Sequence, residues 1–561
     1  MVSKPVTSRS IWLLALLISG CGTAASPRTP APAQKVDLAV VGADIHTMDP
    51  ARPRAQAVAI AGGTIIAVGT DAEIRALGAA RVIDAKGATV TPGLIDAHCH
   101  LYGLGVDRDS VSIRALPSEA ESVKVVAAAA ATRPAGEWLL GRGWDQNRWP
   151  GQQFPTKASL DAVVGDRPVV LRRVDGHASW VNSKALAAAR IDRTTPDPAG
   201  GTIVRDAKGE PTGVLIDNAG ELVDAVMPVA TPEIRERRIR AAAQEAVAAG
   251  ITAVHEMGID DATALVYAKL AGDRALPLRV HAFLAGDPNR LDRLAIRPAP
   301  AIGRFEMRGV KFFADGALGS RGARLYEPYL DDPKNSGLWV TEPKLLATAV
   351  DAAVAHGWHV AIHAIGDAGV GSVLDAYLAA QRAHPGAHTL RIEHAQLVAP
   401  ADLARLASAN VIASMQPTHA TSDMPWAEKR VGPQRILGAY AWRAMLDKRI
   451  PLAAGSDFPV EDVPPLLGIY AAVTRQDATG HPPGGWYPAQ KLTLDEAIAA
   501  FTSGAAYAEG VQATRGMVAV GRAADLTIFD RPLAPDRTLL DTHVDFTVVD
   551  GEVVFQRQAT R

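Results

Sequence analysis

The sequence is poor in cysteine: Cys21 and Cys99 are the two in 561 residues. Two cysteines exclude a disulfide framework of the kind that holds small secreted domains together. Charge of one sign is also missing, with 58 Lys and Arg against 60 Asp and Glu. No basic stripe or acidic tail stands out, which argues against a nucleic-acid partner. Aromatics make up 5% of the chain. No fixed-period repeat is visible. Past the first 20 residues no apolar run is long enough to span a bilayer. What remains is a long chain, 48% hydrophobic, large enough to bury a substantial core.

The first residues have the features of a targeting segment. Lys4 and Arg9 form a short basic region, and residues 11–18 are apolar. Ile18-Ser19-Gly20-Cys21 is similar to a bacterial lipoprotein cleavage site; the alternative is an ordinary signal peptide with an incidental cysteine. Gly22 follows, with no Asp there to signal retention in the inner membrane. The expectation is removal of residues 1–20, lipidation of Cys21, and a bacterial cell-envelope location on the periplasmic side, at the outer membrane. The alternative is a secreted or periplasmic protein. Residues 21–35, rich in Ala, Pro, Thr and Ser, read as a flexible tether. Membrane contact is then expected through the lipid alone.

Residues 36–93 alternate short β-rich runs with Gly-rich turns, and residues 515–561 have the same texture, including the turn dipeptide Asp550-Gly551. The two ends are expected to form one small β-sandwich; two unrelated capping hairpins are the alternative. Between them, residues 94–514 alternate apolar runs with helix-period stretches. The runs fall at 251–254, 280–284, 309–313, 359–362, 390–392, 411–415 and 450–454. Repeated β-then-α at this length predicts an α/β fold, a closed (β/α)8 TIM-type barrel. Residues 110–229 break the rhythm and read as an inserted lobe near the barrel mouth.

Polar residues of metal-ligand type stand at the ends of these runs. In Leu94-Ile95-Asp96-Ala97-His98-Cys99-His100, spacing of two on a strand puts His98 and His100 on one face. Cys99 then points the other way, into packing. Lys311 lies inside an apolar run, where an unpaired lysine is costly. His363, His394 and Asp457 each end a predicted strand. Each alone has a structural reading, such as a satisfied rim histidine or a helix N-cap. Together they sit where barrel chemistry is built.

These blocks resemble the amidohydrolase superfamily. Residues 90–100, Gly309-Val310-Lys311-Phe312-Phe313-Ala314-Asp315-Gly316, Ile362-His363-Ala364-Ile365-Gly366-Asp367, Ile392-Glu393-His394-Ala395-Gln396 and Gly455-Ser456-Asp457-Phe458-Pro459 are similar to motifs of its amidohydrolase-3 branch, which includes YtcJ-like proteins and N-substituted formamide deformylases. The likeness covers nearly all of residues 36–556. It implies that His98 and His100 hold one divalent cation, zinc by default. It implies that Lys311, carboxylated to N6-carboxylysine, bridges to a second held by His363 and His394. Asp457 would bind the first cation and shuttle protons. An unmodified Lys311 paired with Asp315, beside a single metal, is the alternative. The implied activity is metal-dependent hydrolysis of a carbon–nitrogen amide bond in a small molecule, non-peptide or N-acyl. Rivals are ester, lactone or cyclic-amide hydrolysis at the same site, and a catalytically silent lipid-anchored protein that binds metal or ligand.

Two further blocks, residues 141–150 and 175–182, resemble segments near the active site of that branch. His177 is expected to contact the substrate carbonyl. Trp144 and Trp149 either wall an apolar pocket or anchor the inserted lobe. His419, after another β-like run, is expected to face the pocket, and Asp315 and Arg321 are candidates to bind a charged substrate group. Homo-oligomerisation is left open.

Overall fold

The computed structural model describes residues 35–133, 136–386 and 388–558. The expected signal segment and Cys21 lie outside the described residues, as does the tether apart from Lys35. No helix among the described residues is long and apolar enough to cross a membrane.

Eight parallel strands form the central sheet: β1 (Leu94–Cys99), β2 (Ile251–Ile259), β3 (Arg279–Ala285), β4 (Phe305–Phe313), β5 (His359–Ala364), β6 (Leu390–His394), β7 (Ile412–Met415) and β8 (Leu452–Ala454). Each pairs with its neighbours in chain order from β1 to β8. These are the predicted apolar runs, with burial near complete along most of them. Continuous burial is what a parallel sheet covered by helices requires. The ends of the sheet meet through Asp457, whose N–H donates to His98 O at 2.7 Å, and His100, whose N–H donates to Phe458 O at 2.8 Å. The barrel therefore closes at the predicted metal ligands.

The connecting helices carry the expected stop and start signals. Pro232–Ala248 begins after Thr231, whose hydroxyl accepts from the Ile234 N–H, with Pro232 in the first turn, where its missing N–H costs nothing. Met257, Phe283 and Ala361 fill the middle of the barrel.

The termini build a two-sheet sandwich. One sheet is wholly N-terminal: Thr64–Gly69, Ala57–Ala61, Leu38–Val41 and Arg81–Asp84, in that order. In the other, Leu526–Phe529 of the C-terminal segment pairs antiparallel with Thr89–Pro92. Val40, Val58, Ile60, Val90, Leu526, Ile528 and Val548 share the core between them. Asp550 and Gly551 both take positive φ, 53° and 74°, between the last two strands, as a tight hairpin requires. The chain runs from the sandwich strand Thr89–Pro92 through Gly93 straight into β1. A side chain at Gly93 would overlap Thr252, so glycine lets the two domains join without displacing β2.

Residues 111–217 form the inserted lobe around a six-stranded sheet. Here one expectation needs correction. Trp144 and Trp149 are 0% and 5% exposed, packed with Trp180 at ring separations of 6.1–6.4 Å. Their indole N–H groups donate to Leu171 O and Leu116 O. They hold the lobe together and do not wall the pocket; their neighbours Gly143, Asp145 and Arg148 do. Trp144 ends a strand and Trp149 lies between two short 3-10 helices, so the folding of the lobe, which the sequence block does not reveal, sets where each points. Trp144→Ala is expected to destabilise the protein by about 3–5 kcal/mol. Urea unfolding checks this; a loss under about 1 kcal/mol would show that the lobe does not depend on the aromatic cluster.

Candidate metal-dependent active site

The C-terminal ends of the strands bring the predicted ligands together, and His363, His394 and Asp457 among them line a cleft of about 740 Å³. His98 lies on β1, and His100 follows it as the N-terminal cap of the helix Leu101–Asp109. Lys311 is on β4, His363 on β5, and His394 ends β6 with φ 70°. Asp457, three residues beyond β8, has φ 62°. Left-handed backbone at two non-glycine residues costs free energy and persists where the surroundings impose it. Lys311 Nζ is 3.5 Å from His98 Nε2. Asp457 Oδ1 is 3.2 Å from His100 Nε2 and 3.6 Å from His98 Nε2. The His394 ring lies 4.9 Å from His98 and 4.6 Å from His363.

Each histidine is oriented by the nitrogen that faces away from the cluster. His98 Nδ1 is bonded to Glu393, His100 Nδ1 to Met257 O at 3.0 Å, and His394 Nδ1 to Gln416 at 2.7 Å. His363 Nε2 faces Gly316 O at 3.3 Å, which leaves Nδ1 to act. Such fixed rings are the usual second layer of a metal site. Burial, and then Lys311, push the His98 pKa down to about 4. Burial, then neighbouring imidazoles, also holds His363 and His394 well below the usual histidine range. All three are neutral at physiological pH, with lone pairs free to coordinate.

The residues fit a divalent cation on an observation of their own. Asp457 Oδ1 is buried and has no hydrogen-bond partner among the described residues. His98, His100 and Asp457 place one ligand atom each within 4.8 Å of one another, and so do His394, His419 and Asp457. In that second group His419 is the wrong species. Burial opposes its protonation, but hydrogen bonds and charge from Asp457 and Glu461 outweigh it and raise its pKa to about 10. A cationic imidazole has no lone pair, so His363 is the better partner for His394. His419 instead holds Asp457 Oδ2 at 3.3 Å and Glu461 at 3.0 Å, facing the cleft.

The lobe supplies His177, whose ring is 4.8 Å from His363. Its Nδ1 bonds Asp217 at 2.6 Å, so Nε2 is the atom left for a ligand. Burial works against its charge, yet Asp217 and Asp175 hold its pKa above the usual value.

Asp315 and Arg321 need correction as substrate contacts. Asp315 is fully buried and accepts the backbone N–H of Ile365, Gly366 and Arg324 at 2.8–3.0 Å. It ties loops together, and it does not pair with Lys311. Arg321 pairs with Asp331 at 2.9 Å, outside the cleft wall. Both lie beyond the end of β4, where loop folding and not strand alternation sets direction. Cys99 packs in the core, fully buried, as expected.

Sequence reasoning missed the residues behind the ligands. Glu393 and Arg391, both 0% exposed, bond each other, and Glu393 holds His98. Two charges at alternate positions of an apolar strand were a usable signal, the same one that singled out Lys311. Asp96, fully buried, accepts from the Ser456 hydroxyl at 2.6 Å and from the Ser456 and His98 N–H groups at 3.1 Å. This staples β1 to the Asp457 loop. Gly455 lies in the seam, and a Cβ there would overlap the His98 nitrogen and meet Asp96 Oδ1 at 2.5 Å. Gly455→Ala is expected to cost about 1–3 kcal/mol and to lower bound metal per folded chain, read by elemental analysis beside thermal denaturation. Unchanged metal content would mean that the seam does not position the ligands.

The comparisons with known proteins follow this geometry. The family model described as "Amidohydrolase family" matches residues 81–555. The chain is 34% identical to the putative amidohydrolase YtcJ of Bacillus subtilis over 92% of its length and 99% of the relative's. It is 29% identical to N-substituted formamide deformylase of Arthrobacter pascens over 93% of its length and 99% of the relative's. Among solved structures, an uncharacterized metal-dependent hydrolase from Pyrococcus horikoshii matches with TM-score 0.70 and 29% identity, covering 88% of this chain and 97% of that one. Sequence, barrel and ligand cluster agree: the chain belongs to the amidohydrolase family of metal-dependent hydrolases.

Proposed function

We propose that this site hydrolyses a non-peptide or N-acyl amide bond in a small molecule, with N-substituted formamides and N-acyl amines as the leading classes. The observation that carries the reading is the buried Asp457 Oδ1, without a hydrogen-bond partner among the described residues and set among neutral imidazoles. His98, His100 and Asp457 would hold one divalent cation, His363 and His394 a second, with zinc suited to these nitrogen and oxygen donors. When bound, such cations polarise a carbonyl and lower the pKa of water.

The chain's own residues do the rest. Lys311 is pushed down to about 8 by burial, against Glu393 and Asp457. The lowered value makes the neutral amine accessible near neutral pH, the form that adds to carbon dioxide with loss of one proton to give a carbamate. A carbamate replaces a buried cation with anionic oxygens that can serve both cation positions. Asp457, reached by His98, His100 and His419, accepts a proton from water and returns it to the departing nitrogen. His177 Nε2, with Nδ1 fixed by Asp217, donates to the scissile carbonyl oxygen. Trp180, on the strand that begins just after His177, belongs to the lobe's Trp cluster, which anchors this segment.

Outside the described residues, we propose that Cys21 is lipidated and anchors the mature chain on the periplasmic side of the outer membrane. The relative from Arthrobacter pascens is named a deformylase of N-substituted formamides, so formamides lead the substrate panel. The mature chain, supplied with zinc and bicarbonate, is assayed against N-substituted formamides, N-acyl amino acids, arylamides, cyclic amides, esters and lactones. Amide turnover at least tenfold above the others supports the proposal. Preference for an ester or lactone overturns the choice of bond, and metal binding without turnover on any class favours a silent binding protein.

A further inference from the structure

A second cluster of ligand-type side chains lies at the opposite end of the barrel. His281 is the third residue of β3, Glu306 the second of β4 and His359 the first of β5. Glu509 ends the helix Ser503–Glu509, whose Ala505, Ala506 and Ala508 pack against Ile95, Ala97 and Ala253 beneath the barrel. His281, Glu306 and Glu509 each place one ligand atom within 4.8 Å of the others. The His359 ring is 5.5 Å from that of His281.

These groups lie close together without a hydrogen bond between them. Both nitrogens of His281, Nδ1 of His359 and Oε2 of Glu509 are buried without a hydrogen-bond partner among the described residues. His281 is 2% exposed, Glu509 3% and His359 7%. His281 Nδ1 and Glu306 Oε2 are 3.6 Å apart, beyond hydrogen-bond range. That separation is the span between two ligand atoms of a tetrahedral zinc, about 3.3–3.6 Å for bonds of 2.0–2.2 Å. Stranding several buried polar atoms costs free energy for each, and one cation would engage one nitrogen of His281 together with the carboxylate oxygens.

The neighbours narrow the donor set. Arg391 donates to His255 Nδ1 at 2.7 Å, so His255 carries its proton on Nε2 and is a donor, not a ligand. Arg515 takes the other oxygen of Glu509 at 2.9 Å, and Oε2 lies 3.6 Å from the His255 Nε2–H, beyond hydrogen-bond range. Burial pushes His359 well below the usual histidine range, which keeps its lone pairs free. Two carboxylates and neutral imidazole balance a dication, and the Glu306 side chain, 23% exposed, gives a route from solvent.

We propose that His281, Glu306 and Glu509, with His359 as a further donor, bind a divalent cation of the zinc or manganese class. The ion would tie β3 and β4 to the helix that plugs the base of the barrel. It is separate from the hydrolytic site and independent of the reaction assigned there.

The test uses the mature full-length chain with cobalt(II) as the probe. In a variant with His98, His100, His363 and His394 all changed to alanine, about one cobalt per chain is expected to remain after gel filtration. Adding His281→Gln and Glu509→Gln is expected to remove it. A folded four-alanine variant that retains no cobalt overturns the proposal. Should that variant fail to fold, anomalous diffraction at the cobalt edge on wild-type crystals decides. A peak between His281 and Glu509 supports the site, and ordered water there without anomalous signal overturns it.

Discussion

Lys311→Ala is expected to reduce bound metal from about two per chain to one or fewer, and to lower kcat/KM by about 10³-fold or more. The cause is geometric and electrostatic together. Lys311 is 1% exposed, 3.5 Å from His98 Nε2, and has no carboxylate at salt-bridge distance among the described residues. Its Nζ sits over the Phe313 ring at 4.7 Å. A lysine held this way has little structural purpose as a cation, and its lowered pKa makes carbamate formation accessible. Truncation to alanine would remove the bridge and leave a neutral gap between the two halves of the ligand set. Elemental analysis and steady-state kinetics read both effects. Depleting carbon dioxide should inactivate the wild type reversibly, and bicarbonate should restore it without rescuing the variant. One metal with activity within tenfold of wild type would sink the bridge and leave a mononuclear site.

Asp457→Asn should leave the fold intact and reduce kcat by about 10³-fold. The amide has nearly the same shape, so the Asp457 N–H bond to His98 O that closes the barrel is kept. What changes is the charge. Burial resists ionisation of Asp457, but His98, His100 and His419 outweigh it and hold its pKa well below the usual carboxylate range. The native group is therefore an anion across the working pH range, able to ligate and to receive a proton. The amide does neither well. Kinetics with matched circular dichroism would show the loss. A kcat within tenfold of wild type would move the proton transfer to another group, with His177 next in reach.

The ligand strands were legible because residues whose chemistry is out of place in a core stand within or just beyond the apolar runs. His98, His100, Lys311, His363, His394 and Asp457 are anomalies against a plain hydrophobic background, and strand period alone puts the two β1 histidines on one side. The same signal stands in Arg391, Glu393 and Asp96, whose partners Ser414, His98 and Ser456 lie on other segments that the local pattern does not connect. Trp144 and Trp149 were ambiguous for a different reason. An aromatic-rich segment gains the same burial whether it lines a cleft or fills a lobe, and the choice rests on how the lobe folds around it. Asp315 sits in a motif block yet serves backbone N–H groups of residues 324, 365 and 366, up to 51 positions away, a distance no local pattern encodes.

By itself the sequence determined the alternation of strand and helix, the β-rich character of both ends, and the order of ligand types along the chain. These depend on local period, turn chemistry and residue identity. The tertiary structure alone decided how the seam closes on Asp457, which ring nitrogen each histidine turns to the cleft, and that the lobe brings His177 to His363. It also gathered His281, Glu306, His359 and Glu509, spread over some 230 residues, at the base of the barrel. Such arrangements arise from long-range packing, where the free energy of burying one polar group depends on partners that the local sequence does not contain.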